Sequence, residues 1–110
     1  MTADEYQNQA LTTAIPHADP LMDKSIWVMG IAGEAGEVVE KWKKIVAYKD
    51  GVITAQDKKE LVKEMGDVIW YVAVLANSLG VSFEEVLQVN LNKLADRKKR
   101  GVTKGAGDNR

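Results

Sequence analysis

The sequence predicts an all-α protein, an antiparallel bundle of about four helices. Signals that start helices recur four times along the chain, and apolar residues repeat at helical spacing between them. Runs of alternating apolar and polar residues, which half-buried strands would show, extend over no more than a few positions. The predicted connections are too short for long crossovers, so helices that follow one another should be antiparallel.

The first helix is predicted to begin after Thr2, because a Thr followed three positions later by Glu5 is a capping-box pattern. It should end near Ala14, shortly before a proline. The second helix is predicted to begin after Asp19, a capping residue that is followed by proline at the first helical position. It should run to about Tyr48, where a segment containing Asp and Gly breaks it.

The third helix is predicted to begin after Thr54, which Asp57 follows at the capping-box spacing. It should end near Leu79, because a glycine follows. The fourth helix is predicted to begin after Ser82, again with an acidic residue three positions on, and to run to about Arg100. The glycine after Arg100 is typical of a helix C-terminal cap.

The composition is that of an ordinary globular domain, with 45% hydrophobic and 28% charged residues among 110. We expect a single all-α domain over residues 1–101 and a flexible, Gly-rich tail over residues 102–110. No apolar stretch approaches the roughly 18 residues of a membrane span, and the N-terminus is acidic rather than signal-like. We therefore expect a cytoplasmic protein that does not bind membranes.

Charge and residue types exclude several kinds of site. Fifteen basic against sixteen acidic residues give a net charge of −1, without the basic surface that a nucleic acid polymer requires. The absence of cysteine excludes disulfides, thiolate metal sites and cysteine nucleophiles. His17 is the single histidine, so a multi-histidine metal site or a Ser-His-Asp triad is not expected.

Four carboxylates lie where apolar side chains are expected. Glu34 falls within the apolar stripe of the second helix, with Glu37 at its edge, and Glu64 and Asp67 border the apolar face of the third helix. Antiparallel packing through these faces would bring all four together, at a cost of several kcal/mol unless a cation neutralises them. An oxygen-only cluster favours Mg²⁺, with Mn²⁺ as a substitute.

Glycines accompany the acids within both helices. Gly30, Gly33 and Gly36 recur every third residue, and Gly66 lies between Glu64 and Asp67. Each should cost roughly 1 kcal/mol relative to Ala in a helix interior, so something must offset that cost. These positions either allow close helix packing or leave room for a ligand, and the sequence is compatible with both.

The fourth helix offers the opposite charge. Asn90, Lys93 and Arg97 project within about 60° of one another and could hold an anion. Cationic side chains together with a divalent cation are the parts that bind a polyphosphate. Faces on which a base could stack are offered by Trp27, Trp42, Trp70 and Tyr71. The candidate substrate-binding residues are therefore Trp27, Trp42, Tyr71, Asn90, Lys93 and Arg97.

Each of these residues also has an ordinary structural interpretation. A single acid pair or the basic residues alone would be solvated helix faces, and Trp27 and Trp42 could be core residues. Glu40 and Glu60 could be additional ligands or could face water. His17, in a loop between two prolines, could be a surface residue or could contact a base.

The segments GEAGEVVE (Gly33 to Glu40) and KEMGDVIWYVAVLA (Lys63 to Ala76) resemble the MazG-type nucleoside triphosphate pyrophosphohydrolases of the all-α NTP pyrophosphatase superfamily. The likeness covers nearly the whole chain. Its centre is an E-x-x-E motif on one helix and an E-x-x-D motif on the next. These motifs are matched by Glu34, Glu37, Glu64 and Asp67, and the last helix adds Asn90, Lys93, Leu94 and Arg97.

The resemblance implies Mg²⁺-dependent cleavage of a nucleoside triphosphate between the α- and β-phosphates, with a role in nucleotide-pool housekeeping. The four acids would hold the metal, while Lys93 and Arg97 would hold the leaving pyrophosphate. Either Glu37 or Glu40 would position the attacking water. The family's sites combine helices from more than one subunit, so we expect a homo-oligomer with a dimer as its minimal unit, which could pair into a tetramer.

Three alternatives stay open on the sequence. Phosphoribosyl-ATP pyrophosphohydrolase shares the superfamily's fold and metal chemistry and differs in substrate. A carboxylate-bridged di-iron bundle would need a Glu-x-x-His pair on its helices, which this chain lacks. A non-catalytic helical oligomer or interaction module would pair its buried acids with Lys93 and Arg97 and would be indifferent to chelators.

Overall fold

The computed structural model describes all 110 residues and contains four helices and no strand. The helices are α1 Ala3–Leu11, α2 Pro20–Lys49, α3 Ala55–Ser78 and α4 Phe83–Arg100. At each start a side-chain oxygen accepts a hydrogen bond from a backbone N–H of the first turn; these capping residues are Thr2, Asp19, Thr54 and Ser82. The predicted all-α class and the four helix starts are confirmed.

Helix α1 ends at Leu11, three residues before the predicted position. The hydroxyls of Thr12 and Thr13 donate to the carbonyls of Gln9 and Ala10, which closes the last turn. In addition, the indole Nε1 of Trp70 on α3 donates to Thr13 Oγ1 at 2.9 Å. Side-chain bonds of β-branched residues and a contact from a distant helix therefore end α1 earlier than the proline alone would.

Helices α2 and α3 form an antiparallel pair that makes up most of the fold. Trp27 near the start of α2 contacts Tyr71 near the end of α3, whereas Lys49 at the end of α2 contacts Asp57 at the start of α3. Helix α4 leaves this pair, since its axis is bent by 103° from that of α3, so the predicted antiparallel order holds for α2 and α3 but not for α3 and α4. No single helix is long and apolar enough to span a membrane; only the bent α3 and α4 together pass that test.

The chain buries little of itself. Only ten residues are buried, and the core cluster consists of Ala10, Trp27 and Val74. The chain exposes 7943 Å² of surface, whereas a compact monomer of this size should expose about 6,000 Å². Its radius of gyration is 16.8 Å, against about 13 Å for a compact domain. The isolated chain is therefore an open structure.

The buried amide of Gln7 fixes α1 to the corner between α3 and α4. Its Nε2 donates to the carbonyls of Ala73 at 3.0 Å and Val81 at 3.2 Å, and its Oε1 accepts from the backbone N–H of Phe83 at 3.1 Å. Gly80 turns the chain there with a φ of 74°. All polar atoms of the Gln7 amide group thus have partners that define the direction in which α4 begins.

Asp57 joins the ends of α2 and α3, because its buried carboxylate accepts from Lys49 Nζ at 2.7 Å and from the Thr54 backbone N–H at 2.9 Å. These bonds, the one from Lys49 first, lower the pKa of Asp57 to about 2. Because the pKa lies below its ordinary value, the stabilisation is present above about pH 4 and is lost as pH falls towards 2.

We therefore expect Asp57→Asn to lower the Tm by a few degrees at pH 7, with a difference from the parent that disappears near pH 2. Thermal unfolding followed by circular dichroism between pH 7 and 2 measures this difference. Asp96→Asn is the matched control, since Asp96 forms an exposed pair with Arg100 within one helix. A constant difference at all pH values would contradict the linkage.

Candidate active site

Three of the four predicted acids meet between α2 and α3. Carboxylate oxygens of Glu34, Glu64 and Asp67 all lie within 4.8 Å of one another. Glu64 and Asp67 are one turn apart on α3, and the antiparallel packing places Glu34 of α2 opposite them. Glu34 and Glu64 are half-buried and Asp67 is exposed, so the cluster opens to solvent on one side.

The acid cluster has no counter-charge within the chain. None of the ion pairs in the chain includes Glu34, Glu64 or Asp67. Partial burial first, and then repulsion from Asp67, Glu64 and Glu37, raises the pKa of Glu34. Three converging carboxylates without a counter-charge fit a divalent cation that prefers oxygen ligands, such as Mg²⁺. The donor set is therefore suited to the metal expected from the sequence.

The other two candidate acids lie apart from the cluster. Glu37 is exposed one turn along α2 from Glu34 and falls outside the group of converging oxygens. Glu40 pairs on the surface of α2 with Lys43 at 2.8 Å and Lys44 at 3.7 Å. The hydrogen bond from Lys43 is the main cause of the lowered pKa of Glu40. Within one chain, Glu37 is thus closer than Glu40 to a position from which it could act on a bound water.

The four helix glycines serve two different purposes. A methyl group on Gly30 would overlap Cε1 and Cδ1 of Tyr71, so this position requires glycine for close packing of α2 on α3. Around Gly33, Gly36 and Gly66, by contrast, an added Cβ would meet nothing within 4 Å. The glycines beside the acids therefore leave open space in the single chain.

We expect Gly30→Ala to destabilise the chain by about 1–3 kcal/mol, because the Tyr71 ring cannot easily move away from the added methyl group. The centroid of the Tyr71 ring lies 4.9 Å from that of Trp70 and 6.2 Å from that of Trp27. Gly33→Ala is the matched control and should stabilise α2 by up to about 1 kcal/mol. Chemical denaturation of both variants measures the two signs. Equal effects would contradict the assignment of Gly30 to packing.

A pocket of about 380 Å³ lies further along α2 and α3, beside Trp27. Trp27 and Glu34 are seven residues apart, so the pocket is about 10 Å from the acids along the helix. Its polar lining consists of Asp23, Lys24, Asn77 and Ser78. Next to it, His17 bonds to Asp23 through its backbone N–H at 2.7 Å and its ring Nδ1 at 2.9 Å.

The aromatic candidates are divided by the fold. Trp27 is buried and, with Trp70 and Tyr71, forms a packed aromatic group beside this pocket. Trp42 lies 15 residues further along α2 and is 46% exposed, so it does not join them within one chain. Tyr6 of α1 was not predicted, although burial and the nearby Asp67 raise its pKa. Tyr6 and Asp67 lie on different helices, so no helical spacing in the sequence relates them.

The basic candidates on α4 form no ion pair with the clustered acids of the same chain, and no part of the α4 backbone packs against α2. Lys93 and Arg97 instead pair with Asp108 of the C-terminal tail, at 2.7 and 3.0 Å. Asn90 is exposed on the same helix. The ion pairs between these cations and the acid cluster that a non-catalytic module would require do not occur within the chain.

Comparison with known proteins identifies the family of the chain. The family model of the MazG nucleotide pyrophosphohydrolase domain matches residues 24–102, which include every candidate acid of the site. Gene 37 protein of Mycobacterium phage L5 is 53% identical over 114 aligned residues, covering 100% of both chains. The uncharacterized protein YvdC of Bacillus subtilis (strain 168) is 49% identical over 43 residues, 39% of this chain and 41% of that protein. No solved structure matches significantly. The chain belongs to the MazG nucleotide pyrophosphohydrolase family.

Proposed function

We propose that the chain is a Mg²⁺-dependent nucleoside triphosphate pyrophosphohydrolase that cleaves ribo- or deoxyribonucleotides between the α- and β-phosphates in nucleotide-pool housekeeping. The observation that carries the proposal is the unneutralised cluster of Glu34, Glu64 and Asp67. A cation there would offset both the partial burial and the repulsion that raise the pKa of Glu34. Glu37, one turn away, can complete the ligand set, and Mn²⁺ can replace Mg²⁺.

The reaction adds water to the α-phosphorus and breaks its bond to the bridging oxygen, which gives a nucleoside monophosphate and pyrophosphate. When bound, Mg²⁺ lowers the pKa of a coordinated water and neutralises charge on phosphoryl oxygens. Glu37 is the nearest further carboxylate that could orient the water and accept its proton, with Glu40 as the more distant candidate. Lys93 and Arg97 would neutralise the leaving pyrophosphate.

The pocket beside Trp27 is the proposed binding site of the nucleotide base. The pocket lies about 10 Å from the acids along α2, a distance that the sugar and phosphates of a nucleotide would span. Trp27 contributes an apolar wall, and Asp23 and Asn77 contribute hydrogen-bonding groups. Tyr71 lies between this pocket and the acids along α3, where it can pack against the nucleoside.

A second copy of the chain is the proposed partner. Exposed apolar side chains line one side of the helix pair, which we term the α2–α3 apolar face: Val28, Val39, Trp42, Val46, Val62, Met65 and Ile69. A groove of about 340 Å³ runs along it, lined only by Ala35, Val38, Met65, Val68 and Ile69. Covering this face would bury part of the surplus of about 1,900 Å² of exposed surface over a compact monomer.

The dimer also supplies what one chain lacks at the acid cluster. Within one chain, Lys93 and Arg97 pair with Asp108 and form no ion pair with the clustered acids. In a symmetric pair, Lys93 and Arg97 of one copy can serve the acids of the other. A tetramer would be a further association of two such dimers.

The direct test is to incubate the purified chain with each common NTP and dNTP, in Mg²⁺ and in EDTA, and to separate the products by anion exchange. We expect monophosphate and pyrophosphate in Mg²⁺ and no turnover in EDTA. Diphosphate and orthophosphate would contradict the proposed bond cleavage. Turnover of phosphoribosyl-ATP without turnover of free nucleotides would favour the related enzyme of the superfamily instead.

A further inference from the structure

The C-terminal tail, residues 102–110, folds back onto α4 and places an acidic residue between the two cations assigned to phosphate binding. Lys93 Nζ donates to Asp108 Oδ1 at 2.7 Å, and Arg97 Nη2 donates to the same oxygen at 3.0 Å and to the backbone carbonyl of Asp108. Two acceptor oxygens of one residue therefore occupy positions in which phosphate oxygens would be bound.

Arg97 itself has the character of a ligand-binding residue. Its side chain is only 7% exposed, and its Nε is buried without a hydrogen-bond partner. A buried guanidinium group with an unused donor is costly unless an anion can use it. Asp108 accepts hydrogen bonds from Nη2 of Arg97 and leaves Nε unused. The anion-binding position between Lys93 and Arg97, which we term the Lys93–Arg97 site, is therefore incompletely filled.

The return of the tail has defined geometry. Gly105 and Gly107 have φ values of 151° and 87°, which permit the tight turns, and a Cβ on Gly105 would come within 2.9 Å of Arg110 Cδ. Arg110 closes the loop, since its Nε donates to the carbonyl of Val102 at 3.2 Å and its Nη2 donates to that of Thr103 at 3.1 Å. The tail is thus held at both of its ends.

We propose that the Asp108 carboxylate occupies the Lys93–Arg97 site in the free chain and that the phosphates of the nucleotide displace it. The proposal rests on the proposed function, in which these two cations hold the leaving pyrophosphate. The Asp108 side chain is 77% exposed, so its ion pairs are weak and can be displaced. The tail thereby lowers the affinity for phosphates without touching the acid cluster.

The test compares Asp108→Asn and a chain ending at Val102, which keeps the glycine cap of α4, with the parent. Asp96→Asn is the matched control, because it removes an exposed acid of α4 that pairs with Arg100 rather than with Lys93 or Arg97. Binding of inorganic pyrophosphate is measured by NMR titration in EDTA, where neither turnover nor the metal site contributes. We expect both tail variants to bind pyrophosphate about two- to fivefold more tightly than the parent and the control.

In the parent, the backbone amide signals of residues 103–110 should also sharpen as pyrophosphate releases the tail. Equal affinities in all four proteins would overturn the proposal, and so would absence of binding in the chain ending at Val102. The turnover assay on the parent is separate, so hydrolysis with unchanged pyrophosphate affinities would contradict the tail's role while leaving the proposed function standing. In an active enzyme, Asp108→Asn should lower KM and leave kcat unchanged.

Discussion

Replacing Glu64 by Gln is expected to lower nucleotide hydrolysis about a hundredfold or more, because one of the three converging carboxylates proposed as metal ligands loses its charge. The amide keeps the size of the side chain, so the fold should persist. In EDTA the variant should be slightly more stable than the parent, since the removal of one carboxylate reduces the repulsion within the cluster. Thus loss of activity and gain of metal-free stability are expected in the same variant.

The metal dependence of stability separates this outcome from a loss of folding. For the parent, Mg²⁺ at about 100 times its Kd should stabilise the fold by about 2.7 kcal/mol, and Glu64→Gln should show much less of this gain. Thermal unfolding in Mg²⁺ and in EDTA measures both terms. Glu60→Gln is the matched control, because Glu60 lies one turn earlier on α3 and pairs with Lys41 at 3.4 Å. An equal Mg²⁺ response in parent and Glu64→Gln would contradict metal binding at the cluster.

Local signals explain why the helices could be predicted from the sequence. A capping side chain accepts a hydrogen bond from a backbone N–H three residues later in its own helix. The helix starts at Thr2, Asp19, Thr54 and Ser82 therefore depend on neighbouring residues and not on tertiary contacts. The end of α1 was predicted too late because Trp70, about sixty residues away, stabilises the turn at Thr13. A long-range hydrogen bond of this kind leaves no periodic trace in the sequence.

The same distinction applies to the site. Glu34, Glu64 and Asp67 could be predicted to meet, because the i,i+3 spacing and the antiparallel order of two long helices determine their positions. The placement of Lys93 and Arg97 could not, because the 103° bend between α3 and α4 depends on Gly80 and on a distant amide in α1. Helical periodicity gives the face of a helix, but the direction of its axis comes from such contacts.

Replacing Ile69 by Glu is expected to dissociate the proposed dimer. Ile69 lies at the groove of the α2–α3 apolar face and is 42% exposed in the single chain. Two-fold symmetry would bury two new carboxylates without partners, and each unpaired buried charge costs about 3–5 kcal/mol. The dimer dissociation constant should therefore rise at least about a hundredfold. Sedimentation velocity over a range of concentrations measures this change.

Activity should fall with dimer dissociation and should return at high protein concentration, because helical spacing places Ile69 about 140–160° around α3 from Glu64 and Asp67. Val52→Glu is the matched control, since Val52 is 66% exposed in the turn between α2 and α3 and lies outside the apolar face. A fully active monomer would show that one chain contains a complete site and that the α4 cations are not shared between copies. An Ile69→Glu dimer as tight as the parent would place the contact elsewhere on the chain. Only a concentration-dependent loss that the control does not share supports a site built from two copies.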